Sequence, residues 1–204
     1  MMVFSIIAAF AALPMTATAQ AQAPTSPITI FGMQLGEPIS IPECPRRRRS
    51  DGTLSDITYE RSPPNVCFER DIQLRDAPWR RGAITFPTDR IPLIMSGASG
   101  FTIIINGRLE GVEIQTLGHA HADGIIRELT EKFGRPTSVE ADSEIIHGIT
   151  VPSTTAIWRR PQGLIEYRSV DGDLEHGYLR IMTATYAALR AAHQRSQAEA
   201  HTPL

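Results

Sequence analysis

The clearest alternation of hydrophobic and polar positions lies in the middle of the chain. Residues 101–105 form an apolar run, Asn106 and Gly107 follow, and residues 109–116 supply further apolar positions. Asn and Gly both tolerate positive φ, which suits the type I′ turn of a two-residue hairpin. We therefore predict a β-hairpin over residues 101–116.

A helical period replaces this alternation after residue 118. Between residues 119 and 133 the apolar side chains form one stripe at a spacing of three and four, made by Ala122, Ile125, Ile126, Leu129 and Phe133. Gly134 and Pro136 then end the pattern. We predict one amphipathic helix that packs on the sheet.

Three further strands and a second helix complete the predicted fold. Residues 154–159, 164–170 and 178–183 have strand character with short links, and residues 185–200 are rich in helix formers. The order of elements predicts an α+β fold. Its antiparallel sheet would consist of a hairpin and a three-strand meander, with one packed amphipathic helix and a C-terminal helix.

The N-terminal half is less regular. Residues 28–41 hold short apolar runs split by Gly and Pro, and residues 83–86 and 91–95 are candidate short strands. Residues 46–76 are rich in Arg, Ser, Pro and Asp and follow neither regular period. We predict a long surface loop there.

The N-terminus has the layout of a secretory signal peptide. An uncharged apolar run of 11 residues, 3–13, precedes Pro14 and the small-x-small sequence of residues 17–19. About 20 apolar residues are needed to span a bilayer, so the run is too short for an anchor. We predict a signal peptide at 1–19, a linker at 20–27, and a single periplasmic or secreted domain at 28–200 with no transmembrane segment.

The two cysteines fit this compartment. Cys44 and Cys67 lie 23 positions apart, and disulfides form in exported proteins. We predict that they form a disulfide that closes the loop over residues 44–67. The alternatives, a metal pair or a reactive thiol, lack a neighbouring Cys or His at ligand spacing.

Composition narrows the class of partner. The 204 residues include 20 Lys and Arg against 22 Asp and Glu, for a formal charge of −2. This balance argues against a general nucleic-acid binder. Phosphate-binding glycine motifs are absent. The Ser-Gly sequence of residues 96–100 lacks the strand-to-helix turn that holds a nucleophilic serine. We expect no nucleic-acid partner and no cofactor.

The strongest local charge feature is the run Arg46, Arg47, Arg48 and Arg49. Guanidinium groups bind carboxylates and phosphates, so we predict a binding surface for an envelope protein or an acidic ligand. The arginine pairs at 80–81 and 159–160 could extend it. The alternative is a solvated loop, its charge offset by Asp51, Asp56 and Glu60.

A second hypothesis is a small envelope hydrolase or metal-binding protein that uses His119, His121 and Asp123. Imidazole and carboxylate are ligands for zinc and copper, and in a strand the three would share a face. At a helix start His121 would point away from the other two. Carboxylates that could act in acid–base chemistry are Glu110, Glu113, Asp171, Asp173 and Glu175. We assign no metal ligand and no catalytic residue.

One stretch resembles a family of small exported proteins of the BamE and β-lactamase-inhibitor type. The resemblance rests on residues 129–136 (LTEKFGRP), on Trp158, and on residues 165–167 (IEY), and it covers residues 118–170. It implies a periplasmic binding or scaffolding role without catalysis. The chain lacks the lipid-bearing cysteine of that family and adds a Cys-Cys loop, so anchorage, partners and site residues do not carry over.

Overall fold

A computed structural model describes residues 27–74 and 77–200, with residues 56, 57 and 200 described by backbone alone. The predicted signal peptide at 1–19 and nearly all of the predicted linker lie outside these residues. In sequence order the described strands are β1 (Thr29–Ile30), β2 (Met33–Gln34), β3 (Arg46–Arg48), β4 (Leu54–Tyr59), β5 (Cys67–Gln73), β6 (Arg80–Thr85), β7 (Met95–Ile105), β8 (Arg108–Leu117), β9 (Ser138–Ile146), β10 (Ile149–Arg160), β11 (Gly163–Arg168) and β12 (His176–Thr183). The helices are α1 (Ala122–Phe133) and α2 (Ala184–Ala200).

The predicted fold class is wrong. Of the described residues, 48% lie in strands and 18% in helices, and the main sheet has eight antiparallel strands. Their order is β5-β6-β7-β8-β12-β11-β10-β9. The expected meander β10-β11-β12 is only part of this sheet, because β9 extends it at one end and the hairpin β7-β8 joins it to β6 and β5 at the other.

The strands that the sequence analysis missed carry little apolar periodicity. In β5 a register shift between Glu69 and Ile72 breaks the two-residue alternation, as a β-bulge does. In β9 most side chains are exposed, so no buried face marks the strand. Residues 46–76 therefore hold three strands rather than one surface loop. The expected strand at 91–95 is a turn in which the Met95 amide donates to the Pro92 carbonyl, at 2.9 Å.

The predicted hairpin and amphipathic helix are confirmed. Asn106 and Gly107 have φ of 52° and 76° between β7 and β8, as a type I′ turn requires. Helix α1 buries Ala122, Ile125 and Leu129. It ends at Gly134, whose amide donates to the Thr130 carbonyl at 2.7 Å.

The sheet buries apolar side chains on both faces. Neighbouring residues of a strand point to opposite faces of the sheet, so Ile165 and Leu164 of β11 lie in different hydrophobic cores. Ile165 packs in the larger core with α1 and the β1-β2 hairpin. Leu164 packs with Tyr186 of α2 in the smaller core.

Helix α2 lies close to the sheet because β8 has a glycine under it. A Cβ at Gly111 would stand 2.7 Å from a ring atom of Tyr186. Tyr186 in turn meets Trp79 edge to face, with ring centroids 5.2 Å apart. None of the helices in the described part of the chain is long and apolar enough to cross a membrane.

Candidate anion-binding ribbon

The four consecutive arginines lie on a two-stranded antiparallel ribbon rather than on an irregular loop. Strand β3 pairs with β4, with Arg46 opposite Tyr59 and Arg48 opposite Leu54. At the tip, the Arg49 amide donates to the Thr53 carbonyl at 2.7 Å, and Gly52 adopts a φ of +83°. This is a three-residue hairpin loop with its glycine in the left-handed position. We call residues 46–59 the basic ribbon.

The predicted disulfide fixes the base of the basic ribbon. Cys44 and Cys67 are bonded, and both are buried. The Cys44 amide also donates to the Phe68 carbonyl at 2.8 Å, which places residue 44 beside β5 at the edge of the main sheet. The arginines therefore follow a covalently anchored residue by only two positions, and their backbone has little freedom to move away from the sheet edge.

Exposed guanidinium groups dominate the basic ribbon. Arg47, Arg48 and Arg49 are exposed. Arg48 donates to the Gly52 carbonyl at 3.1 Å, and Arg46 donates to Glu43 at 3.1 Å. The hydrogen bond from Arg46 is the largest cause of a lowered Glu43 pKa. Among the described side chains, no carboxylate lies within ion-pair distance of Arg47 or Arg48. An incoming anion can therefore meet these two guanidinium groups without first displacing any of the described carboxylates.

Two open cavities adjoin these side chains. One, of about 430 Å³, is lined by Arg47, Arg48 and Arg49 together with three hydroxyl residues, Ser50, Ser55 and Thr58. The second, of about 340 Å³, is lined by Arg47, Tyr59, Glu60 and Arg61. Guanidinium and hydroxyl donors around one depression are suited to carboxylate or phosphate oxygens. Arg47 lines both cavities.

The other arginine pairs do not join this surface. Arg80 forms an ion pair with Asp71, and the Arg81 guanidinium stacks 3.6 Å from the centre of the Phe101 ring. Arg159 and Arg160 end β10, which four strands separate from β6. At about 4.8 Å between neighbouring strands, β6 and β10 are about 24 Å apart.

The structure does not assemble His119, His121 and Asp123 into a metal site. The two histidines lie in a 3₁₀ turn and Asp123 in the first turn of α1. Within the described residues, no group of three His, Cys, Asp or Glu side chains could hold a metal ion. The Nδ1 atom of His119 is buried and has no hydrogen-bond partner among the described residues.

The sequence analysis missed a row of charged residues on the face of the sheet that carries α2. Arg180 of β12 donates to Glu113 of β8 at 2.7 Å and to Glu166 of β11 at 3.0 Å. Two tyrosines also donate to these carboxylates, Tyr186 to Glu113 at 3.0 Å and Tyr178 to Glu166 at 3.1 Å. The alignment of these residues depends on the pairing of β8 with β12, whose paired residues lie 59 to 71 positions apart in the sequence.

The charged side chains of this row are paired with one another. Burial lowers the pKa of Arg180, but Glu113, Tyr178 and Glu166 together outweigh this effect, and the net pKa is raised. Of the other carboxylates singled out from the sequence, Glu110 accepts a hydrogen bond from Thr183, and Asp173 accepts one from His176 at 2.9 Å. Glu113, Glu110 and Asp173 thus stabilise the fold locally.

Comparison with known proteins identifies no relative. No protein-family model matches the chain, and no significant match exists among curated proteins or solved structures. The resemblance to small exported proteins of the BamE and β-lactamase-inhibitor type stays a prediction.

Proposed function

We propose that the protein is an exported, non-enzymatic binding protein of the bacterial envelope whose basic ribbon contacts an anionic partner. The observation that carries the proposal is the exposure of Arg47 and Arg48 on a ribbon anchored by the Cys44–Cys67 disulfide. An anchored backbone reduces the conformational entropy that the ribbon backbone loses on binding. The partner would present carboxylates or phosphates on an acidic protein surface or an acidic envelope ligand.

Two observations support the compartment. The apolar run at 3–13 followed by small residues has the pattern of a signal peptide, and a buried disulfide suits an oxidising compartment. The intact mass of the protein secreted by its native host tests this part of the proposal. We expect loss of residues 1–19 and alkylation of both cysteines only after reduction. An uncleaved chain with free thiols would contradict export.

The binding surface is tested by charge removal. Arg47→Ala/Arg48→Ala is compared with Arg127→Ala/Arg135→Ala, which removes two exposed arginines in and after α1. Both variants lose the same net charge, so they differ only in where it is lost. Binding of poly-L-glutamate by the mature protein is measured first, by calorimetry. Capture of partners from envelope extracts follows.

We expect the ribbon variant to bind poly-L-glutamate about 2- to 30-fold more weakly, since each of the two exposed ion pairs contributes about 0.2–1 kcal/mol. Charge reversal in Arg47→Glu/Arg48→Glu should weaken binding further, and added salt should weaken wild-type binding. The control variant should bind like the wild type. Equal losses in the ribbon and control variants would show that net charge alone governs binding, and the basic ribbon would not be the site.

A further inference from the structure

The opposite edge of the main sheet is open along a long, regular strand. Strand β9 is the last in the sheet order and pairs with β10 over nine consecutive residues without a register shift. On its outer side it meets no strand of the described chain. Proline, lysine and a β-bulge, which often protect a sheet edge, are absent from β9, and the charged side chains on this edge are all acidic.

The hairpin geometry shows which backbone groups face outward. His147 and Gly148 form a two-residue turn with φ of 50° and 82°, so Ile146 and Ile149 form the hydrogen-bonded pair that closes it. Alternation along β9 then turns the N–H and C=O groups of four residues away from β10: Val139, Ala141, Ser143 and Ile145. Consistent with this, the Thr154 amide, opposite Ala141, donates to the Ser169 hydroxyl at 2.8 Å and not to β9.

The side chains of β9 separate into an acidic face and an apolar face. Glu140, Asp142 and Glu144 alternate along one face, opposite Thr155, Ser153 and Val151. Glu144 is held by Ser153 and by Arg168 at 2.8 and 2.9 Å, but Glu140 and Asp142 are exposed and pair with no cation in the described residues. On the other face, Val139 and Ile145 are 52% and 78% exposed.

The alternation of acidic and apolar side chains along β9 determines which kind of strand can pair with it favourably. Antiparallel pairing of β9 with β9 of a second copy, centred on Asp142, would place Glu140 opposite Glu144 and Asp142 opposite its own equivalent. Like charges directly opposite each other are destabilising in a sheet. A strand with basic side chains at alternate positions and apolar side chains between them would instead place opposite charges on the acidic face and apolar contacts on the other face.

We propose that β9 is a docking edge that binds an extended segment of another protein by strand addition, with alternating basic and apolar residues in that segment. Backbone hydrogen bonds to residues 139–145 supply affinity, and Glu140 and Asp142 select the basic residues. This surface is distinct from the basic ribbon, which adjoins β5 at the other edge of the sheet, and it recognises the opposite charge.

The experiment uses the mature protein and a synthetic peptide of alternating lysine and valine. A second peptide of the same sequence carries N-methyl groups on every backbone amide, which keeps its charge but removes the N–H donors from both edges of the strand and so prevents strand addition. The protein variant Glu140→Lys/Asp142→Lys is compared with Glu128→Lys/Glu131→Lys, which makes the same charge change on exposed positions of α1. Affinity is measured by calorimetry and backbone protection by hydrogen exchange.

We expect at least about tenfold weaker binding for the N-methylated peptide and for Glu140→Lys/Asp142→Lys, and wild-type affinity for the α1 variant. In the complex, amide exchange should slow at Val139, Ala141 and Ile145, whereas the Ser143 amide already donates to the Asp142 carboxylate at 2.7 Å. Equal binding of the two peptides would overturn strand addition even if a variant failed to fold. Absence of binding by the wild type, or dimerisation of the protein alone that Glu140→Lys/Asp142→Lys abolishes, would overturn the assigned partner.

Discussion

Gly163 and Gly124 provide a matched pair of substitutions whose effects on stability should have opposite signs. Both residues change to alanine, so the chemical change is the same. Gly163 begins β11 opposite Thr183, and a Cβ there would lie 1.9 Å from the Met182 carbonyl oxygen and 3.0 Å from the Thr183 Cα. Gly124 lies in α1, where a Cβ would meet nothing within 4 Å.

The obstruction at Gly163 consists of backbone atoms, which cannot rotate away as a side chain can. To reach an ordinary contact of about 3.4 Å, β11 and β12 must separate by about 1.5 Å at this point, which breaks the last hydrogen bonds of their ladder. One or two lost backbone bonds, with the buried groups left unpaired, correspond to about 2–4 kcal/mol. At Gly124 alanine should instead stabilise the helix by about 0.5–1 kcal/mol.

Urea unfolding followed by tryptophan fluorescence measures both free energies. We expect a lower transition midpoint for Gly163→Ala, a higher one for Gly124→Ala, and the same slope for both, because the surface exposed on unfolding is unchanged. The reasoning is refuted if Gly163→Ala is as stable as the wild type while Gly124→Ala shows its expected gain. In that case the two strands would not approach as closely as the structure places them.

Three further predictions concern the two tryptophans, the disulfide and the tyrosines. The Trp158 indole donates to the Gly134 carbonyl at 2.7 Å, so Trp158→Phe should lose about 1 kcal/mol more stability in urea unfolding than Trp79→Phe; equal losses would contradict a role for this bond. Reduction of the Cys44–Cys67 bond, which spans 23 positions, should lower the free energy of unfolding by about 3 kcal/mol, and an unchanged denaturation curve after reduction would refute this. Burial is the largest cause of a raised pKa for three tyrosines, Tyr167, Tyr178 and Tyr186. Above about pH 10 the unfolded chain should release these protons while the folded chain keeps them, so stability should fall as pH rises; ultraviolet absorbance should show these tyrosines ionising only on unfolding.

Local sequence patterns predicted the elements whose conformation is set by neighbouring residues. The Asn106-Gly107 turn needs two residues with positive φ, and the stripe from Ala122 to Phe133 needs only a helical period. The Cys44–Cys67 bond followed from having two cysteines and an export pattern. These features were predictable because the physical cause lies within a few residues of chain, or because no alternative partner existed.

The tertiary structure alone decided how the strands combine and which side chains meet. Nothing local to Arg46–Arg48 shows that these residues pair with β4, and the bulge in β5 hides its alternation. The charged row of Glu113, Arg180 and Glu166 depends on the pairing of β8, β12 and β11. Most side chains of β9 are exposed, so its sequence shows no alternation of buried apolar positions. The position of such an edge strand depends on its pairing with the neighbouring strand β10 and not on its own hydrophobic pattern.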